Sequence, residues 1–128
     1  MEKELIYNAD LHFEHENWQR EINFWEDELK SFQLRLEELV NRWTDKTVLA
    51  EIEKFQNQFM IQEKEFEALK DQIAMHEKNM SSHYKKNEDV LNKMFVQQHL
   101  EFRGVLETER DLYYKLKKDF YRFMTKYM

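Results

Sequence analysis

Apolar side chains recur along the first third of the chain at intervals that alternate between four and three. The series is Leu11, His15, Trp18, Ile22, Trp25, Leu29, Phe32, Leu36, Leu39 and Trp43. That spacing keeps one edge of an α-helix facing a partner helix and predicts the seam of a left-handed bundle, here over residues of about 9 to 43. Asn8 or Asp10 offers a cap at its start, and acids dominate its first turns, where the helix dipole favours them.

A second series runs Val48, Ile52, Phe55, Phe59, Gln62, Phe66, Leu69, Ile73, His76 and Met80, predicting a helix over about 47 to 81. The two series are out of phase, because continuing the first from Trp43 lands on Lys46 and Ala50 rather than Val48. The slip falls on Thr44-Asp-Lys-Thr47, where two threonines and an aspartate supply a turn and an N-cap. So short a link makes the two helices antiparallel neighbours.

A third helix is predicted over about 88 to 126, with Asn87 as cap and Glu88 and Asp89 in its first turn. Its apolar arc is wider: Leu91, Met94, Phe95, Phe102, Val105, Leu106, Leu112, Tyr113, Leu116, Phe120, Phe123, Met124 and Tyr127. A wide arc suits a helix lying in the groove between two others. The pattern therefore predicts a single all-α domain over 1–128, an antiparallel up-down-up bundle of three long helices with spectrin-like geometry. The competing arrangement is a long coiled-coil hairpin completed by dimerisation.

Composition sharpens this picture chiefly by what is missing. Among 128 residues there is one glycine, Gly104, with no proline and no cysteine. A chain so poor in turn formers must consist of a few long elements. Without cysteine there is neither a disulfide framework nor a thiolate metal site. No apolar run approaches the roughly 20 residues that span a bilayer, and the first residues lack a signal-peptide core, so a cytoplasmic location is expected. The net charge of −6 opposes general nucleic-acid binding, which needs a basic face.

Five polar residues interrupt the stripes: His15, Gln62, His76, Gln98 and Glu109. Antiparallel pairing about a turn at 45–46 places His15 level with His76, and a second turn near 85 places Gln62 level with Glu109. The Gln62–Glu109 layer reads as a register-fixing hydrogen bond. The histidine end is the candidate site. His12, His15, Glu16 and His76 form a possible metal-ligand set for iron or zinc, with Asp71, His83 and His99 towards the same end. His12 stands three residues from His15 and four from Glu16, both usable ligand spacings on one helix. The Glu-x-x-His motif of di-iron bundles is absent; the His-x-x-x-Glu pattern of hemerythrin-like proteins is matched by His12 and Glu16 but not by further histidine pairs. The alternative to ligation is ordinary packing, with His15 and His76 on seams and His12 and His99 at the shoulders.

Two surface features complete the reading. Phe13, Phe24 and Leu34 fall opposite the first seam, and a row of outward aromatics predicts a homodimer through that face. The segment from Arg110 mixes Lys115, Lys117, Lys118, Arg122 and Lys126 with aromatics, of which Tyr114 and Tyr121 point outward. Bases near a helix C-terminus complement its dipole, so neither a membrane nor a nucleic-acid partner is expected there. No phosphate loop, nucleophile elbow or His-Glu-x-x-His motif occurs.

Glu53-Lys-Phe-Gln-Asn-Gln-Phe59, with His15-Glu-Asn-Trp18 and His76-Glu77, resembles a group of small uncharacterised bacterial helical proteins over most of the first two helices. The resemblance implies a helical bundle and no particular activity. The functional expectation is a non-enzymatic structural or protein-interaction module, with a metal-binding bundle as the alternative.

Overall fold

The computed structural model describes residues 2–85 and 93–127, with side chains over 10–82 and 94–127. It consists of three helices, α1 (Glu2–Arg42), α2 (Lys46–Lys85) and α3 (Lys93–Tyr127). Among the described residues there is no strand.

The first reversal is built as the sequence requires. The Trp43 amide still donates to the Leu39 carbonyl at 3.0 Å, after which the chain leaves the helix. Asp45 then caps α2, its Oδ1 accepting from the amides of Thr47 (2.8 Å) and Val48 (3.4 Å), two of the donors a helix start leaves unpaired. At the other end of α1 the expectation was different. The helix extends back to Glu2, so Asn8 and Asp10 lie within it rather than at its start. The expected cap at Asn87 and the core position at Leu91 lie outside the described residues, as does the side chain of His83.

Ring contacts set the direction of each helix. From α1 to α2 they run His15–His76 (5.0 Å between centroids), Trp25–Phe66 (5.1 Å) and Phe32–Phe59 (5.8 Å), one partner ascending as the other descends. From α2 to α3 the order is again opposed: His76–Phe102 (5.1 Å), Phe66–Tyr113 (5.4 Å), Phe59–Phe120 (5.0 Å) and Phe55–Phe123 (5.1 Å). Ion pairs between α1 and α3 ascend together, with Glu14 to Arg103, Glu21 to Arg110 (2.7 Å) and Glu28 to Lys117 (2.7 Å). Each step is seven residues on both helices, so the rungs lock two parallel helices in a heptad register. The path is up, down, up.

Aromatic layers fill the centre. Trp25, Phe66 and Tyr113 meet in one layer, and Phe32, Phe59 and Phe120 in the next. Burial of each such side chain contributes about 1.5–3 kcal/mol. The Tyr113 hydroxyl reaches the edge of its layer and donates to Glu28 Oε1 at 3.0 Å. Burial and that carboxylate hold its pKa well above the usual phenol value. The Gln62–Glu109 layer forms as the levels imply, Gln62 Nε2 donating to Glu109 Oε2 at 2.8 Å.

One part of the α3 reading is corrected. The residues that face the core follow a strict four-three alternation: Phe95, His99, Phe102, Leu106, Glu109, Tyr113, Leu116, Phe120, Phe123 and Tyr127. Met94, Val105 and Leu112, expected inside, are 54%, 43% and 51% exposed, and Gln98 is exposed beside the seam rather than on it. With one neighbour on each side, α3 has no element to cover the outer flank of its arc. Among the described residues no helix is long and apolar enough to cross a membrane.

Candidate metal centre

Each helix contributes one buried imidazole at the same level: His15 from α1, His76 from α2 and His99 from α3. One ring nitrogen from each lies within 4.8 Å of the other two. The rings are walled by aromatics, with Trp18 stacked on His99 (4.7 Å, 27°) and Phe102 and Phe95 against His76. One turn further out, Leu11, Met80 and Phe95 form a small apolar cluster beside the imidazoles. These three stand four residues from His15, His76 and His99 respectively, so the seams that place the histidines also place their cover.

Outside the imidazoles are two carboxylates. Glu77, beside His76 on α2, accepts from Nδ1 of both His15 and His12. Glu14 on α1 faces His99 Nε2 at 3.1 Å and is held from the other side by Arg103 of α3, whose Nε lies 2.9 Å from Oε2. Burial acts to raise both carboxyls, but the hydrogen bonds from His15 and His12 to Glu77, and from Arg103 and His99 to Glu14, outweigh it and hold both below the ordinary value. They are therefore carboxylates at neutral pH, and each draws a proton on the histidine it contacts.

That arrangement turns the inner nitrogens of His15 and His99 towards one another. With Nδ1 of His15 donating to Glu77 and Nε2 of His99 turned to Glu14, the remaining nitrogens are His15 Nε2 and His99 Nδ1. They lie 2.9 Å apart, a hydrogen bond when one of the two carries the hydrogen and two facing acceptors when neither does. His76 adds a further acceptor-capable group, since its Nε2 is buried and has no hydrogen-bond partner. Protonation is a poor remedy for His76 and His99. Burial pushes the His99 pKa down to about 4, and lowers that of His76, with the neighbouring His15 adding to the effect. Three buried imidazoles, one from each helix, thus bring ring nitrogens together at one level, the donor type that zinc and iron sites use.

The nitrogen separations can be set against those of a metal site. Two imidazoles on a tetrahedral zinc stand about 3.3 Å apart, from Zn–N bonds of about 2.0–2.1 Å. The 2.9 Å approach of His15 and His99 would open slightly around such an ion, and nitrogens as far as 4.8 Å apart in the cluster would draw together. Glu77 and Glu14 occupy the outer positions that orient metal-bound histidines and raise their basicity.

Of the four residues expected as ligands, His15 and His76 are in this cluster. His12 and Glu16 are on the surface instead, with side chains 59% and 48% exposed and 3.0 Å apart. His12 joins the network only through Glu77, whose hydrogen bond raises its pKa. Asp71 lies along the groove between α2 and α3. The residue missed was His99, placed at a shoulder when the apolar arc of α3 was read broadly; strict four-three alternation through Phe95 and Phe102 puts it on the seam. Glu77 and Glu14 carried the weaker signal of acids flanking seam positions. Comparison with family models, curated proteins and solved structures found no match.

Proposed function

We propose that this protein binds a transition metal ion, zinc or iron, through His15, His76 and His99. The observation that carries the reading is the convergence of three buried imidazoles, two with their outer nitrogens on carboxylates and the third with an unpartnered buried nitrogen. Buried polar atoms are ordinarily paired, so an orphan nitrogen close to two other imidazole nitrogens calls for a ligand. Imidazole ligands suit zinc and iron, and three protein ligands leave a coordination position for water or a small molecule.

Metal analysis of protein prepared without an affinity tag tests the proposal, together with titration of the metal-free protein with Zn(II), Fe(II) and Co(II). One equivalent of bound metal is expected, lost in His76→Ala and His99→Ala and retained in His12→Ala. Absence of binding and of any thermal shift with all three ions would overturn it, as would equal loss in the His12 variant.

A further inference from the structure

The outer partners of the three imidazoles follow a closed circuit round the bundle. His15 of α1 is held by Glu77 of α2, and His99 of α3 by Glu14 of α1. Each partner is the chain neighbour of another histidine in the cluster, Glu77 of His76 and Glu14 of His15. Gln98, the neighbour of His99, completes the circuit: it hydrogen-bonds the ring of His76, whose buried Nε2 stays unpartnered. It stands on the α3 face that meets that ring, three residues from Phe95 and four from Phe102, both of which pack against His76.

The third position differs from the other two in charge and in support. Glu77 is gripped by His12 as well as His15, and Glu14 by Arg103 as well as His99. Gln98 is a neutral, exposed amide. Hydrogen bonds to an ionised partner are roughly twice as strong as neutral ones, so His76 is the imidazole held most loosely. His76 also lines a depression between α2 and α3, of about 590 Å³, that neither His15 nor His99 reaches. An ion with its six waters needs roughly 200 Å³, at about 30 Å³ per water. Asp71 and Glu101 line the depression and, among the described residues, no lysine or arginine does, so its field draws cations. On the other sides the approach is occupied. Glu77 bridges His12 and His15 between α1 and α2, and Glu14 with Arg103 spans α1 and α3, where Trp18 stacks on His99.

We infer that a hydrated divalent metal ion enters and leaves the site through this groove, drawn by Asp71 and Glu101, with His76 as the exchangeable ligand and Gln98 as the residue that positions it. The route presupposes the three-histidine metal site proposed above and adds how the ion reaches it. His76 meets the incoming ion first and carries it to the two rings that carboxylates hold in place.

Stopped-flow mixing of the metal-free full chain with Co(II), followed by its visible absorption, and release of the bound ion into excess chelator test the route. Asp71→Asn with Glu101→Gln should slow association by about three- to tenfold at low salt, and added salt should shrink the deficit by screening the field. Glu51→Gln with Asp119→Asn makes the same change of charge in a depression at the opposite end of the bundle and should leave association at the parental rate. Gln98→Ala should speed release by about tenfold and Gln98→Glu should slow it, as altering the outer partner of a ligand does. A loss of packing alone would move both variants the same way. Asp71, Gln98 and Glu101 are exposed, so helicity is retained in their variants. If the parent chain binds none of Co(II), Zn(II) and Fe(II), the site and the route fall together. If it binds metal but the Asp71/Glu101 variant associates at the parental rate, or the Glu51/Asp119 variant slows equally, the route is overturned and the site stands. Release moved in one direction by both Gln98 variants, or by neither, likewise overturns the assignment of His76 and Gln98.

Discussion

Acidification of the metal-free protein should weaken it in the window where its buried histidines resist protonation. His99 is fully buried, and its pKa of about 4 in the folded chain compares with 6.5 for an ordinary histidine. Burial is the main cause; the hydrogen bond to Glu14 opposes it, while His15 and Arg103 add to the depression. The unfolded chain takes up this proton near 6.5 and the folded chain only near 4, so the unfolded state binds more protons between those values and stability falls as pH falls. One proton difference is worth about 1.4 kcal/mol per pH unit, so His99 removes about 2 kcal/mol by about pH 5 and about 3 kcal/mol once both states are protonated. His76 is also lowered and acts with the same sign. Glu77 and Glu14 are held below 4.5, so their contributions are present above that value and are lost only beneath it. His12 is raised, so its contribution is intact throughout this window and fades only as pH rises above 6.5 through its folded value. Urea unfolding followed by circular dichroism at about pH 7, 6 and 5, with chelator present, measures the slope. A chelator is needed because metal competes with protons for the same nitrogens. His99→Gln should lose about 2 kcal/mol less than the parent chain over that range, whatever its absolute stability. Parallel slopes for the two proteins would refute the account of His99 as a neutral buried imidazole.

Two further outcomes follow from the packing. Replacing both Gln62 and Glu109 with leucine should raise thermal stability, by about 1–4 kcal/mol, because it exchanges a part-buried polar pair for apolar contacts while loosening register; a large drop in melting temperature would show the pair to be stabilising. Gly104→Ala should gain about 0.5–1 kcal/mol, since the position is mid-helix and an added Cβ meets nothing within 4 Å; an unchanged or lower midpoint in urea would contradict this.

Much of the architecture was legible from periodicity alone. A four-three alternation has one physical solution, a helix with a buried edge, and the phase slip at Thr44–Thr47 marks where that edge must be rebuilt on a new helix. Once the reversal is located, levels follow from counting, which is why His15 meets His76 and Gln62 meets Glu109. The third helix was read less well. Its apolar arc is wider than its seam, and a sequence does not say which flank of a wide arc a neighbour will cover. The answer decided the fate of both Leu112, which is exposed, and His99, which is not.

Local pattern therefore determined the number of helices, their direction and the inward edge of the first two. Only the assembled bundle decided how far α3 is rotated about its own axis, and with it the composition of the site. Rotation is set by how the aromatic layers Trp25–Phe66–Tyr113 and Phe32–Phe59–Phe120 interlock, together with the rungs from Glu14, Glu21 and Glu28 to Arg103, Arg110 and Lys117. Those contacts join residues more than forty positions apart in the chain or on different helices, and no repeat within one helix encodes them. The third imidazole and the two carboxylates behind the histidines come from that long-range fit, because flanking positions become interior or exterior only when a neighbouring helix is in place.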